Sequence, residues 1–228
     1  MLTGCAGCKV RTQSAFCNLP EGPLAELDRL SFLVSYPQQA TLFSQDDPCR
    51  GVFILCSGKA KISARSHDGK QLLVRMVDAG ESLGLSSTIT GMAYDVTAIT
   101  TGPSVVRFVK REDFLLFLRT SPESGLNAVH ALSVEYQGAF DSLRSIALSH
   151  TATSRIAQLL LRMAANGSQE SAQNIRLLLT QEQIAQMTCT TRETVTRFFT
   201  QLRRQQIVTI RGSNLLIMDR LALEKMAS

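Results

Sequence analysis

A chain of 228 residues with 44% hydrophobic and 19% charged side chains has room for two modest domains and the apolar content to build their cores, which excludes a globally disordered protein. No apolar run of roughly 18 residues occurs, so no membrane span is predicted. The formal net charge is +5, and it is unevenly placed: residues 1–150 hold 14 Lys/Arg and 14 Asp/Glu, residues 151–228 hold 10 and 5. A basic terminal module beside a neutral one points to a polyanion, most simply nucleic acid.

Residues 1–20 read as a tail carrying Cys5, Cys8 and Cys17. Leu2-Thr3-Gly4-Cys5 has the look of a lipoprotein box, but no hydrophobic segment precedes it. No basic start followed by an apolar stretch is present, so no secretory signal is expected. Six cysteines then point to a reducing compartment, the cytoplasm, with thiols or a metal site in place of a disulfide frame. Pro20-Glu21-Gly22-Pro23 breaks the chain, and Leu24, Leu27 and Leu30 predict one short helix. From about residue 38 to 112 the texture is that of short strands: Gly51–Leu55, Ala60–Ala64, Leu72–Val77, Val96–Ile99 and Val105–Val109, with turn residues between them. This predicts an antiparallel sandwich, roll or barrel over residues 21–120.

Residues 121–148 predict a long helix. Leu126, Val129, Ser133, Tyr136, Phe140, Leu143 and Ala147 step by three and four, a coiled-coil seam longer than one small roll needs, so a homodimer is expected. Leu132, Ala139 and Ile146 widen the stripe toward the helix's own domain. A polar hinge, Ser149–Thr153, opens the last module, residues 149–228, with a helix over Ser154–Ala165 closed by Asn166-Gly167.

The strongest motif runs from Leu179 to Phe199. Thr180 is an N-cap for a short helix, Thr188 to Thr190 make a turn, and Thr191 caps a second helix. On a helical wheel Arg192, Glu193, Thr196 and Arg197 fall at about 0°, 100°, 40° and 140°. Val195, Phe198, Phe199 and Leu202 fall at about 300°, 240°, 340° and 280°. One face is apolar; the other presents two guanidinium forks, a carboxylate and a hydroxyl. Arg matches the guanine O6/N7 pair and Glu accepts from the cytosine amino group, so this face suits a recognition helix in the major groove. Arg203, Arg204 and Arg211 are phosphate candidates, the last in a predicted β-hairpin wing, Ile207–Ile210 and Leu215–Met218. Thr180, Gln181 and Thr191 join them. The reading is α+β: an N-terminal roll, a long dimerisation helix and a C-terminal winged helix-turn-helix. The rival class, an enzyme, finds no P-loop, dinucleotide fingerprint, nucleophile elbow or His-Glu-x-x-His. A second rival is a ligand-binding interaction module without sequence-specific DNA function, which leaves the wing and the Arg192–Arg197 face unexplained.

Four segments resemble the CRP/FNR family. Ala40–Phe43 through Gly51–Gly58 is similar to the start of its cyclic-nucleotide-binding-like roll, Asp78-Ala79-Gly80-Glu81-Ser82-Leu83-Gly84 to its glycine turn, Ser154-Arg155-Ile156-Ala157-Gln158-Leu159-Leu160 to the start of its DNA-binding domain, and Thr191–Arg197 to its recognition segment. The resemblance covers nearly all of the chain. It implies a transcription regulator, a homodimer on a palindrome with half-sites close to TGTGA, contact with RNA polymerase, base reading by Arg192, Glu193 and Arg197, and a phosphate contact at Thr180. The family's turn glycine is Cys189 here, at a cost of roughly 1 kcal/mol.

The resemblance also implies where an effector would bind. The family's cyclic-nucleotide pocket takes an Arg for the phosphate and a Glu for the ribose; the corresponding places hold Gly84 and Leu85, and Tyr94 and Asp95. Asp95 would repel a phosphate, which argues against cyclic AMP. Cys5-x2-Cys8-x8-Cys17 resembles the cluster ligands of the oxygen-sensing branch, which bind [4Fe–4S]. The fourth ligand's place holds Arg107, leaving Cys56 or Cys49 as substitutes, with zinc, a thiol-redox site or no metal at all as alternatives.

Overall fold

Proline placement decides where the first helix begins. The computed structural model describes residues 5, 8, 15–149, 151–165, 174–176, 179–212 and 214–227. Helix α1 (Glu21–Leu30) starts directly after Pro20, with Pro23 inside its first turn. There the missing N–H has no intrahelical partner to lose, so a predicted break is a helix start. Leu24 and Leu27 face inward, as their spacing requires.

The roll follows as β1 (Ser31–Tyr36), β2 (Thr41–Phe43), β3 (Gly51–Ser57), β4 (Lys59–Arg65), β5 (Gln71–Asp78), β6 (Ser82–Leu83), the short α2 (Leu85–Thr90), β7 (Thr97–Thr100) and β8 (Ser104–Lys110). These strands form two four-stranded sheets, in the orders β1-β8-β3-β6 and β2-β7-β4-β5, and every pairing is antiparallel. Strands β1, β2 and β6 lack a long alternating stretch, which hides them in the sequence. Strand β3 is apolar without alternation because its faces serve two cores. Val52 and Ile54 pack with Phe16, Cys17, Leu24, Leu27 and Phe114, while Phe53 and Leu55 pack with Phe43, Leu83, Tyr94 and Val106.

Helix α3 (Arg111–Thr120) packs Phe114 and Phe117 under the roll, and Ala128 of the long α4 (Pro122–Leu148) joins the same core. The chain divides within α4 into two compact units, Met1–Gly138 and Ala139–Ser228. The second unit holds α5 (Ala152–Ala165), β9 (Asn174–Arg176), α6 (Gln181–Met187), α7 (Arg192–Arg204), β10 (Val208–Arg211), β11 (Asn214–Ile217) and α8 (Arg220–Ala227). Its core joins Ile156 and Leu160 of α5, Ile184 and Ala185 of α6, Val195, Phe198, Phe199 and Leu202 of α7, and Leu215 and Ile217 of β11. The expected wing hairpin is β10–β11, and β9 adds a third antiparallel strand in the order β10-β11-β9. The Asn166-Gly167 stop lies outside the described residues.

Candidate nucleic-acid interface

Local hydrogen bonding sets the start of each helix in the pair α6–α7. The Thr180 hydroxyl accepts from the Gln183 N–H (3.2 Å) while the Gln183 side chain accepts from the Thr180 N–H (2.8 Å), a reciprocal capping box. Thr191 caps α7 by accepting from the Thr194 N–H at 3.3 Å. Between the helices Cys189 takes φ +49°, the left-handed conformation expected where the family has glycine. Arg155 of α5 clamps this turn: its Nε donates to the Thr188 carbonyl at 2.7 Å and a terminal nitrogen to the Cys189 carbonyl at 3.3 Å. Nothing in the sequence flags Arg155, because its partners lie 33 and 34 residues away.

Helix α7 is two-faced. Val195, Phe198, Phe199 and Leu202 are buried, and Arg192, Glu193, Thr196 and Arg197 are exposed, with Arg203 and Arg204 further along. The apolar face sinks into the module's core, and the charged face stands in water with its first turn leading. The backbone N–H of Glu193 and the Thr191 hydroxyl, aided by Arg192 and Arg197, hold the Glu193 carboxyl below its usual range, so it is an acceptor at neutral pH. Thr196 is less available than its neighbours. Its hydroxyl lies 2.5 Å from the Gln181 side-chain oxygen and 2.9 Å from the Arg192 carbonyl, and its one proton can serve only one of them. The methyl remains to face a partner, and Gln181 is tied across the helix pair. Arg211 lies in β10, at the tip of the wing.

In the roll, two of the residues at the expected effector positions, Gly84 and Tyr94, lie against each other. Tyr94 is buried and stacks on Phe43 at 4.1 Å. Its hydroxyl donates to the Gly51 carbonyl (2.7 Å) and accepts from the Arg50 and Gly51 N–H groups (3.2 Å each). Gly84, at φ +73°, lies so close to the ring that a Cβ there would stand 2.7 Å from Tyr94 Cε1, so only glycine fits. Leu85 is buried and Asp95 exposed. Nearby, Arg75 of β5 bridges Glu81 (3.0 Å) and Glu135 of α4 (3.2 Å), a network the sequence does not announce. Burial raises the Glu135 carboxyl above its usual range against the pull of Arg75.

The seam residues of α4 stand in solvent: Leu126, Val129, Tyr136 and Leu143 are each 60% exposed or more, and Phe140 is 48% exposed. Cys5 and Cys17 are buried and Cys8 half-buried, with no disulfide among the described residues. Arg107, at the family's fourth-ligand place, is buried in an ion pair with Asp28 at 2.5 Å and donates to the Ser31 hydroxyl at 2.8 Å.

An antiparallel roll, a long helix and a capped helix pair with a wing define a DNA-binding transcription regulator of mixed α+β architecture. The chain matches the family profile of the cyclic nucleotide-binding domain over residues 33–121 and that of the Crp-like helix-turn-helix domain over residues 154–226, together more than half its length. It is 25% identical over 206 residues to a CRP-like cAMP-activated global transcriptional regulator of Mycobacterium tuberculosis, covering 90% of this chain and 92% of that one. It is 26% identical over 218 residues to the transcriptional activator protein FnrL of Cereibacter sphaeroides, covering 93% and 86%. A solved structure of a CooA mutant from Carboxydothermus hydrogenoformans shares the fold, with TM-score 0.78, 20% identity and coverage of 92% and 93%. The chain belongs to the CRP/FNR family, whose members are regulators and not enzymes. Its partner is DNA, and no helix among the described residues is long and apolar enough to cross a membrane.

Proposed function

We propose that this regulator acts in the cytoplasm as a homodimer on a palindrome with half-sites close to TGTGA. Arg192, Glu193 and Arg197 read base edges, with Thr196 beside them. Thr180, Gln181, Thr191, Arg203, Arg204 and Arg211 hold phosphates. The carrying observation is the two-faced α7: a buried apolar row behind an exposed Arg-Glu-Arg edge at a capped helix start. The exposed seam of α4 supports pairing through that helix, and a two-fold dimer is what a palindrome requires. Contact with RNA polymerase follows from the family's role in transcription.

The same reading holds that cyclic AMP is not the effector. The Tyr94 hydroxyl is already engaged by backbone, and Leu85 and Asp95 offer no cation to a cyclic phosphate. Input instead comes through Cys5, Cys8 and Cys17 as ligands of a [4Fe–4S] cluster, a soft thiolate set of the kind that centre takes. Two of the three are packed against the roll, so a change at the tail reaches its core.

Gel-shift titration of the full-length protein tests the DNA reading, with a TGTGA palindrome against a scrambled duplex at fixed salt. The palindrome binds at least about 10³-fold more tightly, and added cyclic AMP changes neither affinity. Equal affinity for both duplexes would sink the sequence-specific reading.

A further inference from the structure

Helix α5 buries Ile156, Ala157, Leu159 and Leu160 in the core of its module. At 100° per residue Gln158 stands about 200° from Ile156, turned away from that core, and it is half-buried. Its side-chain amide meets three other places on the chain. Oε1 accepts from the Ser145 hydroxyl, in the last turn of α4, at 2.7 Å and from the Ser149 hydroxyl, just beyond that helix, at 3.1 Å. Nε2 donates to the Ala227 carbonyl at the end of α8 at 2.8 Å. The orientation of the amide is fixed, because the reverse would set its oxygen against the Ala227 carbonyl, acceptor against acceptor. Helix α8 is itself anchored, with Leu223 buried in the module's core and Ala222, Met226 and Ala227 packed on it.

The end of α4 has little else to hold it. From Ala139 onward it belongs to the same compact unit as α7, yet among the described residues none of its side chains joins that unit's core. Leu143 and Leu148 are 60% and 68% exposed. Residues 149–151 alone separate α4 from α5. The start of α5 is set by the Thr151 hydroxyl, which accepts from the Ser154 N–H at 3.0 Å. A polar link through Gln158 therefore stands where an apolar contact is missing.

We propose that Gln158 is a positioning residue: it locks the end of α4 to the DNA-binding module and so sets the spacing between half-sites that the protein accepts. This rests on the reading above of a homodimer on a palindrome. In that assembly Phe140 and Leu143 meet their symmetry mates at one end of the locked piece, and α7 reads a half-site at the other. A rigid piece leaves one distance and one rotation between the two copies of α7. A duplex matches them at one spacing, since each inserted base pair moves a half-site by about 3.4 Å and turns it by roughly 34°. A loose joint lets each module follow its half-site to other spacings, and it must be ordered when DNA binds, which weakens binding at the best one.

The test is titration of the full-length protein, at fixed salt, with three duplexes: the TGTGA palindrome, the same palindrome lengthened by two base pairs at its centre, and an isolated half-site. For wild type the insertion costs about 10²-fold, because the gain from two linked sites is lost where geometry forbids both from engaging. Gln158→Leu keeps the bulk of the side chain and removes all three hydrogen bonds. It binds the isolated half-site as wild type does, binds the palindrome about tenfold more weakly, and loses less than about tenfold on insertion. Ser145→Ala combined with Ser149→Ala frees the end of α4 and leaves α5 intact; it gives the same pattern, and it is read alone should Gln158→Leu not fold. An insertion penalty as large in these variants as in wild type overturns the inference and leaves the dimer on a palindrome standing. So does equal weakening of half-site and palindrome, which marks a role in the module's own stability. Wild type that binds the palindrome no more tightly than the isolated half-site overturns both readings together.

Discussion

Arg192 and Arg203 sit on the same helix and carry the same charge, yet their expected roles differ because of where α7 places them. Arg192 opens the helix beside the Thr191 cap, and Arg203 lies in the last turn. A guanidinium aimed at a base edge discriminates among base pairs; one aimed at phosphate contributes to every sequence alike. Arg192→Ala is therefore expected to cost about 1–3 kcal/mol on the preferred site and to relax preference at one base pair. Arg203→Ala lowers affinity uniformly and reduces the salt slope by about 1. Binding to a set of single-base operator variants separates the two, and a uniform loss for Arg192→Ala would remove it from base reading. The alternation of buried and exposed residues along α7 was legible in the sequence because helical periodicity is a local property. The engagement of Thr196 with Gln181 was not, since it joins two helices across the turn.

At the scale of elements, the half-buried Cys56 of β3 and the buried Cys5, packed in a core with Val52 and Ile54 of the same strand, are two thiols whose titration marks how the N-terminal segment packs. Burial pushes Cys5 and Cys56 up to about 11 from an ordinary 9.0, against the opposing pull of Arg107. A raised value means that the folded chain keeps these protons longer than the unfolded chain does. Their contribution is complete below pH 9.0 and is lost as pH climbs through about 11. The metal-free protein should therefore melt at progressively lower temperature across that window, and the slope should be shallower in Cys5→Ala and Cys56→Ala. A slope unchanged in both variants would show that neither thiol is buried as described. The strand bearing Cys56 was legible as an apolar run. The bulge at Cys56 was not, because register belongs to the pair of strands and not to either alone.

For the whole molecule, the expected assembly depends on α4. Val129 and Leu143 are each 60% exposed and two heptads apart, so a charge at either position meets its symmetry mate in a paired helix. Val129→Glu and Leu143→Glu should convert a dimer to a monomer in sedimentation. They should also weaken binding to the palindrome by about 10²-fold or more, while binding to an isolated half-site changes little, because two linked sites engage one duplex far more tightly than either alone. A dimer that survives both substitutions would place the interface elsewhere.

The amino-acid order by itself determined what repeats within a few residues: the heptad row of α4, the two caps and two faces of the α6–α7 pair, the strand-rich texture of the roll and the concentration of positive charge in the last module. Each follows from backbone geometry and side-chain chemistry over one or two turns or strands. Only the tertiary structure decided that Tyr94 fills the space beside Gly84, that Arg75 joins β5 to Glu135, that Arg155 clamps the turn at Thr188, and that Cys5 and Cys17 enter the core with Val52 and Ile54 while Cys49 packs with that of Tyr94. Those contacts join residues distant along the chain, and strand order and register bring them together, which no local pattern encodes.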